Sequence, residues 1–179
     1  MDFVCPDPKA LVRAANVRST LDAFKFVPAL GRRIVEKHQL AIEDLRPGNF
    51  ILVQQWLDAL KEIQQEVGPN KLREVGRAIV ENANFPPHFT DAETMLLASD
   101  DIYQMNHKGD VGHYVVKRLP DKRIEVRCET PYPRMFEWGV IEGMTRNQRY
   151  KHPGKYYVEY VGGPKTGNLT CTLYVQRVV

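Results

Sequence analysis

The sequence predicts an α+β fold in which a helical N-terminal half packs on a small antiparallel sheet. Three observations lead there. Apolar residues recur at helical spacing up to about residue 106. From Gly112 onward an alternation of period two replaces that spacing. One more helical stretch then separates two pairs of alternating segments, giving the order β-β-α-β-β. The 179 residues are 43% apolar and 26% charged. That composition suits one domain spanning 1–179 and excludes disorder as the main state.

Each element has its own signal. Asp7 and Pro8 open a first helix over 8–25, with Leu11, Val12, Ala15, Leu21 and Phe24 as its apolar positions. Pro28 starts a second, from Val27 to His38. Asn49 caps a longer one in which Ile51, Leu52, Trp56, Leu57, Leu60, Ile63 and Val67 share a face. Gly68 and Pro69 end it and begin the next, with Leu72, Val75, Gly76, Ile79 and Val80 as its stripe. Phe85, Pro86 and Pro87 break the chain. Thr90 and Glu93 then have capping-box spacing and open one helix to about Asn106.

Gly112–Leu119 and Arg123–Glu129 form a hairpin around Pro120, Asp121 and Lys122. A helix over Arg134–Gln148 follows, then strands at 155–161 and 169–178.

Charge and cysteines narrow the function classes. The net charge is +3, unevenly spread: +2 over 1–80, −4 over 81–143 and +5 over 144–179. The basic end is either a solvated face or an attraction for an acidic partner. No nucleic-acid motif accompanies it, so nucleic acid is not an expected partner. No apolar run approaches the length of a membrane span, and the N-terminus lacks the n- and h-regions of a secretory signal. With three cysteines and no CxxC pair, the expectation is a reducing, cytoplasmic setting without a disulfide framework.

The last third carries a resemblance. Pro131, Tyr132, Pro133 and Phe136, then Gly139, Val140, Ile141, Glu142, Gly143 and Met144, resemble the helix after the first hairpin in 4-vinyl reductase-type hydrocarbon-binding domains. Gly162, Gly163 and the run from Cys171 to Val175 resemble the closing strand of that family. It belongs with the TRAPP trafficking subunits and the haem nitric-oxide-binding domains. The match covers about 105–179. It implies a hydrophobic ligand held between helices and sheet. The zinc and haem of some relatives do not carry over. Residues 155–179 hold only Cys171, and no Tyr-x-Ser-x-Arg occurs.

Eight residues are candidates for a ligand site: Trp56, Tyr103, His107, His113, Cys128, Phe136, Trp138 and Met144. The aromatic residues and Met144 are either pocket walls or ordinary core. His107 and His113 flank Gly109. They either meet a polar head group or serve as a helix C-terminal cation and a surface residue. Cys128, on the apolar face of its strand, is a nucleophile only with a nearby base. Tyr132, fixed between two prolines, either gates a pocket or shapes a loop.

The expected function is a non-catalytic binding or sensor module for a small hydrophobic molecule, dimeric through its helical faces. An assembly subunit and a haem- or tetrapyrrole-binding or reductase-like protein are the alternatives. No dinucleotide fingerprint supports the enzyme.

Overall fold

The computed structural model describes residues 3–82, 89–146, 154–162 and 171–178. It is an α+β arrangement with two antiparallel sheets. In chain order the elements are β1 (Leu11–Arg13), α1 (Ala14–Ala23), α2 (Pro28–Lys37), β2 (Phe50–Leu52), α3 (Val53–Glu66) and α4 (Pro69–Asn82). Then come α5 (Ala92–Leu97), α6 (Ser99–Met105), β3 (His107–Lys108), β4 (His113–Arg118), β5 (Ile124–Glu129), α7 (Arg134–Thr145), β6 (Lys155–Gly162) and β7 (Cys171–Val178).

The second helix, the body of the third, the fourth and the hairpin–helix–hairpin unit form where the apolar periodicity places them. Three expectations are corrected. The first helix does not begin at residue 8, because Leu11–Arg13 is extended and pairs with both β2 and β3. Val12, fully buried, satisfies its backbone in that small sheet, so pairing overrides local helical spacing. Asn49 does not cap α3: its side chain donates to the Asp44 carbonyl, and 50–52 is strand before the helix starts at Val53. The single helix expected over 90–106 is two, meeting at Ala98. Asp91 rather than Thr90 is its cap, accepting from the Thr94 amide at 2.9 Å. Residues 147–148 and 169–170 of the expected elements lie outside the described residues.

The larger sheet has the order β4-β5-β7-β6. Ile124, Val126 and Cys128 of β5 and Cys171, Leu173 and Val175 of β7 alternate inward, as the sequence pattern requires. α7 lies between this sheet and α4. The helices approach so closely because both carry glycine at the crossing. A Cβ on Gly76 would sit 2.2 Å from the Phe136 carbonyl oxygen, and one on Gly139 would sit 2.1 Å from that of Arg73. Glu142 of α7 tightens the same contact, accepting from Arg73 Nε at 2.8 Å and Arg77 Nε at 2.7 Å. No helix among the described residues is long and apolar enough to cross a membrane.

Candidate functional site

A cavity of about 50 Å3 opens where α4, α6 and α7 meet the sheet. Trp56, Ile79, Tyr103, His107, Tyr114, Tyr132, Phe136, Val140 and Met144 are among its walls. The helical period of α7 sets Phe136, Val140 and Met144 on one face, one turn apart. α6 contributes Tyr103 and, at its end, His107, which doubles as the first residue of β3.

The walls are mostly rings in contact. Tyr132 stacks on Phe136 at 5.1 Å and meets Trp56 edge-on at 5.2 Å. Trp56 in turn meets Phe136 edge-on at 5.3 Å, and its indole N–H donates to Thr20 Oγ1 at 3.1 Å. Such arrangements suit the quadrupoles of the rings.

One end of the cavity is polar. His107 Nδ1 lies 2.7 Å from the Tyr103 carbonyl, which only accepts, so Nδ1 carries the proton. Its Nε2 then accepts from the Tyr132 hydroxyl at 2.8 Å. Burial pushes His107 down from 6.5 to about 4, so the ring is neutral near pH 7. The Tyr103 hydroxyl donates to the Val111 carbonyl at 2.7 Å. Behind Tyr114 stands Glu137, fully enclosed, accepting from the Tyr114 and Thr130 hydroxyls. Burial lifts its carboxyl from 4.5 to about 7.

Of the eight candidate residues, the structure brings Trp56, Tyr103, His107, Phe136 and Met144 onto this cavity. The other three lie elsewhere. His113 is exposed at the start of β4, 3.4 Å from Glu129 Oε2. Cys128 is buried in β5 opposite Cys171, and burial holds its thiol well above the ordinary value, away from thiolate chemistry. Trp138 faces the other side of α7, between the Arg73 guanidinium at 3.8 Å and the Tyr160 ring.

Tyr132, in the loop between β5 and α7, is 1% exposed and forms part of the cavity wall. Glu137 and Tyr114 escape the sequence reading. The signal for Glu137 is its place, with Glu142, as a carboxylate in the otherwise apolar run from Met135 to Met144, where a helix buried on both sides leaves no wet face.

The sequence matches no family model and no curated protein. The backbone, however, superposes on solved structures. An oxygen-binding H-NOX domain related to soluble guanylate cyclases, in its oxygen complex, matches with a TM-score of 0.64 at 16% identity, covering 92% of this chain and 94% of that one. An H-NOX protein from S. oneidensis in the Fe(II)NO ligation state matches with 0.65 at 13%, covering 93% and 99%. A third, from work on H-NOX activation, gives 0.62 at 17%, covering 92% and 93%. This chain has the H-NOX fold.

The neighbours raise haem as a candidate occupant of an H-NOX fold, and the residues here do not fit it. The space is about 50 Å3, room for about three to five waters at ~10–15 Å3 each and far below the ~300–1,000 Å3 of typical ligand sites. The rings of Trp56, Tyr132 and Phe136 fill the interior between helices and sheet. The cavity histidine has both nitrogens engaged. Among the described residues no group of three His, Cys, Asp or Glu is placed to hold a metal ion.

Proposed function

We propose that the chain is a non-catalytic, haem-free module that takes up a small, compact, apolar molecule and reports its presence. The observation that carries this reading is the apolar cavity closed at one end by the Tyr132–His107–Tyr103 string. Rings and Val140 give such a ligand dispersion contacts, and the Tyr132 hydroxyl offers it one polar partner. A neutral His107 leaves the cavity uncharged, which suits an apolar guest. The H-NOX fold of an oxygen-binding domain supports a binding role, and the resemblance to hydrocarbon-binding domains favours the branch without haem. His107 also belongs to β3, so occupancy at its ring bears directly on the small sheet where α1 and α3 begin. Residues 1–179 act as one domain in this reading, in the cytoplasm, as a homodimer.

Native mass spectrometry of gently purified protein and a thermal-shift panel of apolar molecules no bigger than a few waters, xenon among them, test it. A ligand at 100-fold its Kd adds about 2.7 kcal/mol, which raises Tm by about 5–10 °C in a domain of this size. Val140→Phe, or the milder Val80→Leu, fills the space and removes the shift. No shift across the panel, or a stoichiometric Soret-absorbing complex on adding haemin, overturns the reading.

A further inference from the structure

The larger sheet ends in β4 on one side and β6 on the other, and the two edges are treated differently. β4 is covered by α6: the Tyr114 amide donates to Asp100 Oδ1 at 2.8 Å, and Gln104 Nε2 donates to the Gly112 carbonyl at 2.9 Å. β6 has β7 on one side and nothing among the described residues on the other. Among the described residues, nothing pairs with its outer row of backbone N–H and C=O groups.

Natural edges are blunted by proline, by short length, by bulges or by charged side chains, and of these β6 carries the charges Lys155 and Glu159. β6 is eight residues long and has no proline, and its one irregularity lies at the Tyr160/Gly162 end. The stretch from Lys155 to Tyr160 is regular. Its inward residues, Tyr156, Val158 and Tyr160, face the body of the protein. Its outward residues, Lys155, Tyr157, Glu159 and Val161, are exposed, with Tyr157 at 60%. Neither Lys155 nor Glu159 has an ion pair among the described residues. Arg123, on which Glu159 acts only weakly, is bound to Asp121 and lies over the Tyr174 ring.

We propose that β6 pairs with β6 of a second copy of this chain, antiparallel, about a two-fold axis through Tyr157. Two four-stranded sheets then become one continuous sheet. An axis normal to the sheet keeps outward residues opposite outward residues, which limits the registers. Centred on Tyr157, the register sets Lys155 against Glu159 of the second copy, twice over, and Tyr157 against its own counterpart. The neighbouring registers fail. Centring on Tyr156 sets Lys155 against Tyr157, and centring on Val158 sets it against Val161, so both leave the charges without counterparts. Directly opposed opposite charges and paired aromatics are the cross-strand contacts that stabilise antiparallel pairs. The strand is thus complementary to itself, which favours a second copy over an unrelated extended peptide.

This surface lies apart from the cavity, so the proposal stands independently of the ligand reading. Sedimentation velocity over a wide concentration range tests it. The wild type shows a concentration-dependent dimer. Lys155→Glu and Glu159→Lys each turn two attractions into two repulsions, and each weakens the dimer about tenfold or more. The decisive samples combine the changes. An equimolar mixture of the two single variants restores opposite charges at both positions and re-forms the dimer, as does the double variant alone. A monomer at every concentration, a dimer that ignores both single changes, or a mixture that stays monomeric overturns the proposal. Circular dichroism melts of each variant confirm folding at these exposed positions. The thermal shift by a cavity ligand is unaffected in every sample, which separates failure here from failure of the ligand reading.

Discussion

Glu137→Gln is the most revealing substitution in this molecule, because buried Glu137 and half-buried His107 oppose each other in pH. The Glu137 carboxyl is lifted from 4.5 to about 7, and His107 is lowered from 6.5 to about 4. Each displacement is about 3 kcal/mol at ~1.36 kcal/mol per pH unit. Between pH 4.5 and 7 the unfolded chain has released the Glu137 proton while the folded chain keeps it, so stability falls as pH rises. Between about pH 4 and 6.5 the unfolded chain binds a proton at His107 that the folded chain refuses, so stability rises with pH. The slopes cancel from about pH 4.5 to 6.5, and the wild type is flat there.

Other carboxylates leave that window clear. Lys37 and then His38 hold Glu62 below its ordinary value. Arg73 and Arg77 hold Glu142 down against the opposing effect of burial. Both therefore act below about pH 4.5. Glutamine keeps the size of Glu137 and can still bond Tyr114 and Thr130. In Glu137→Gln the His107 slope stands alone, and stability climbs by about 3 kcal/mol from pH 4.5 to 6.5. At pH 8 the variant exceeds the wild type by about 3 kcal/mol. His107→Gln shows the reverse, a fall from pH 4.5 to 7. Urea unfolding followed by tryptophan fluorescence at half-unit pH steps reads all three curves. A Glu137→Gln profile parallel to the wild type refutes the reasoning.

Two stability predictions follow from contacts alone. Thr20→Val leaves the buried Trp56 N–H without its acceptor and costs about 1–3 kcal/mol in urea unfolding, whereas Thr20→Ser retains the bond and most of the stability. Gly139→Ala drives a methyl to 2.1 Å from the Arg73 carbonyl oxygen, so α4 and α7 must part; a loss of about 1–3 kcal/mol or more is expected, and an unchanged urea midpoint contradicts the close crossing.

The legible parts of the sequence are those whose burial repeats within a few residues. Ile124, Val126 and Cys128 alternate, and Trp56, Leu57, Leu60 and Ile63 recur at the helical period, so β5 and α3 are readable from local order. Val12 is different. Its strand has three residues and exists because Ile51 and His107 arrive beside it from far along the chain. No local period records that, and Leu11 and Val12 are equally at home in a helical stripe.

The site divides the same way. Phe136 and Met144 stand out in the sequence as aromatic and methionine side chains of one helix, and His107 by its place before Gly109. Trp138 shares their helix but points to Arg73 and Tyr160, because aromatic character does not reveal which side of a doubly buried helix faces the cavity. Cys128 and Glu137 show the limit most clearly. Both are enclosed, yet residue type marks the ordinary thiol and gives no sign of the carboxylate with the displaced pKa.

The small sheet also constrains the order in which the molecule is assembled. β1 is made well before its partner β3: Arg13 Nε reaches the Met105 carbonyl 92 positions later, and β3 follows just beyond. Until residue 108 has been synthesised, the start of α1 has only β2 beside it. Closing so long a loop carries an entropic penalty that local helix pairing does not. Since His107 is both a β3 residue and a wall of the cavity, the cavity is complete only once the two ends of that loop have met.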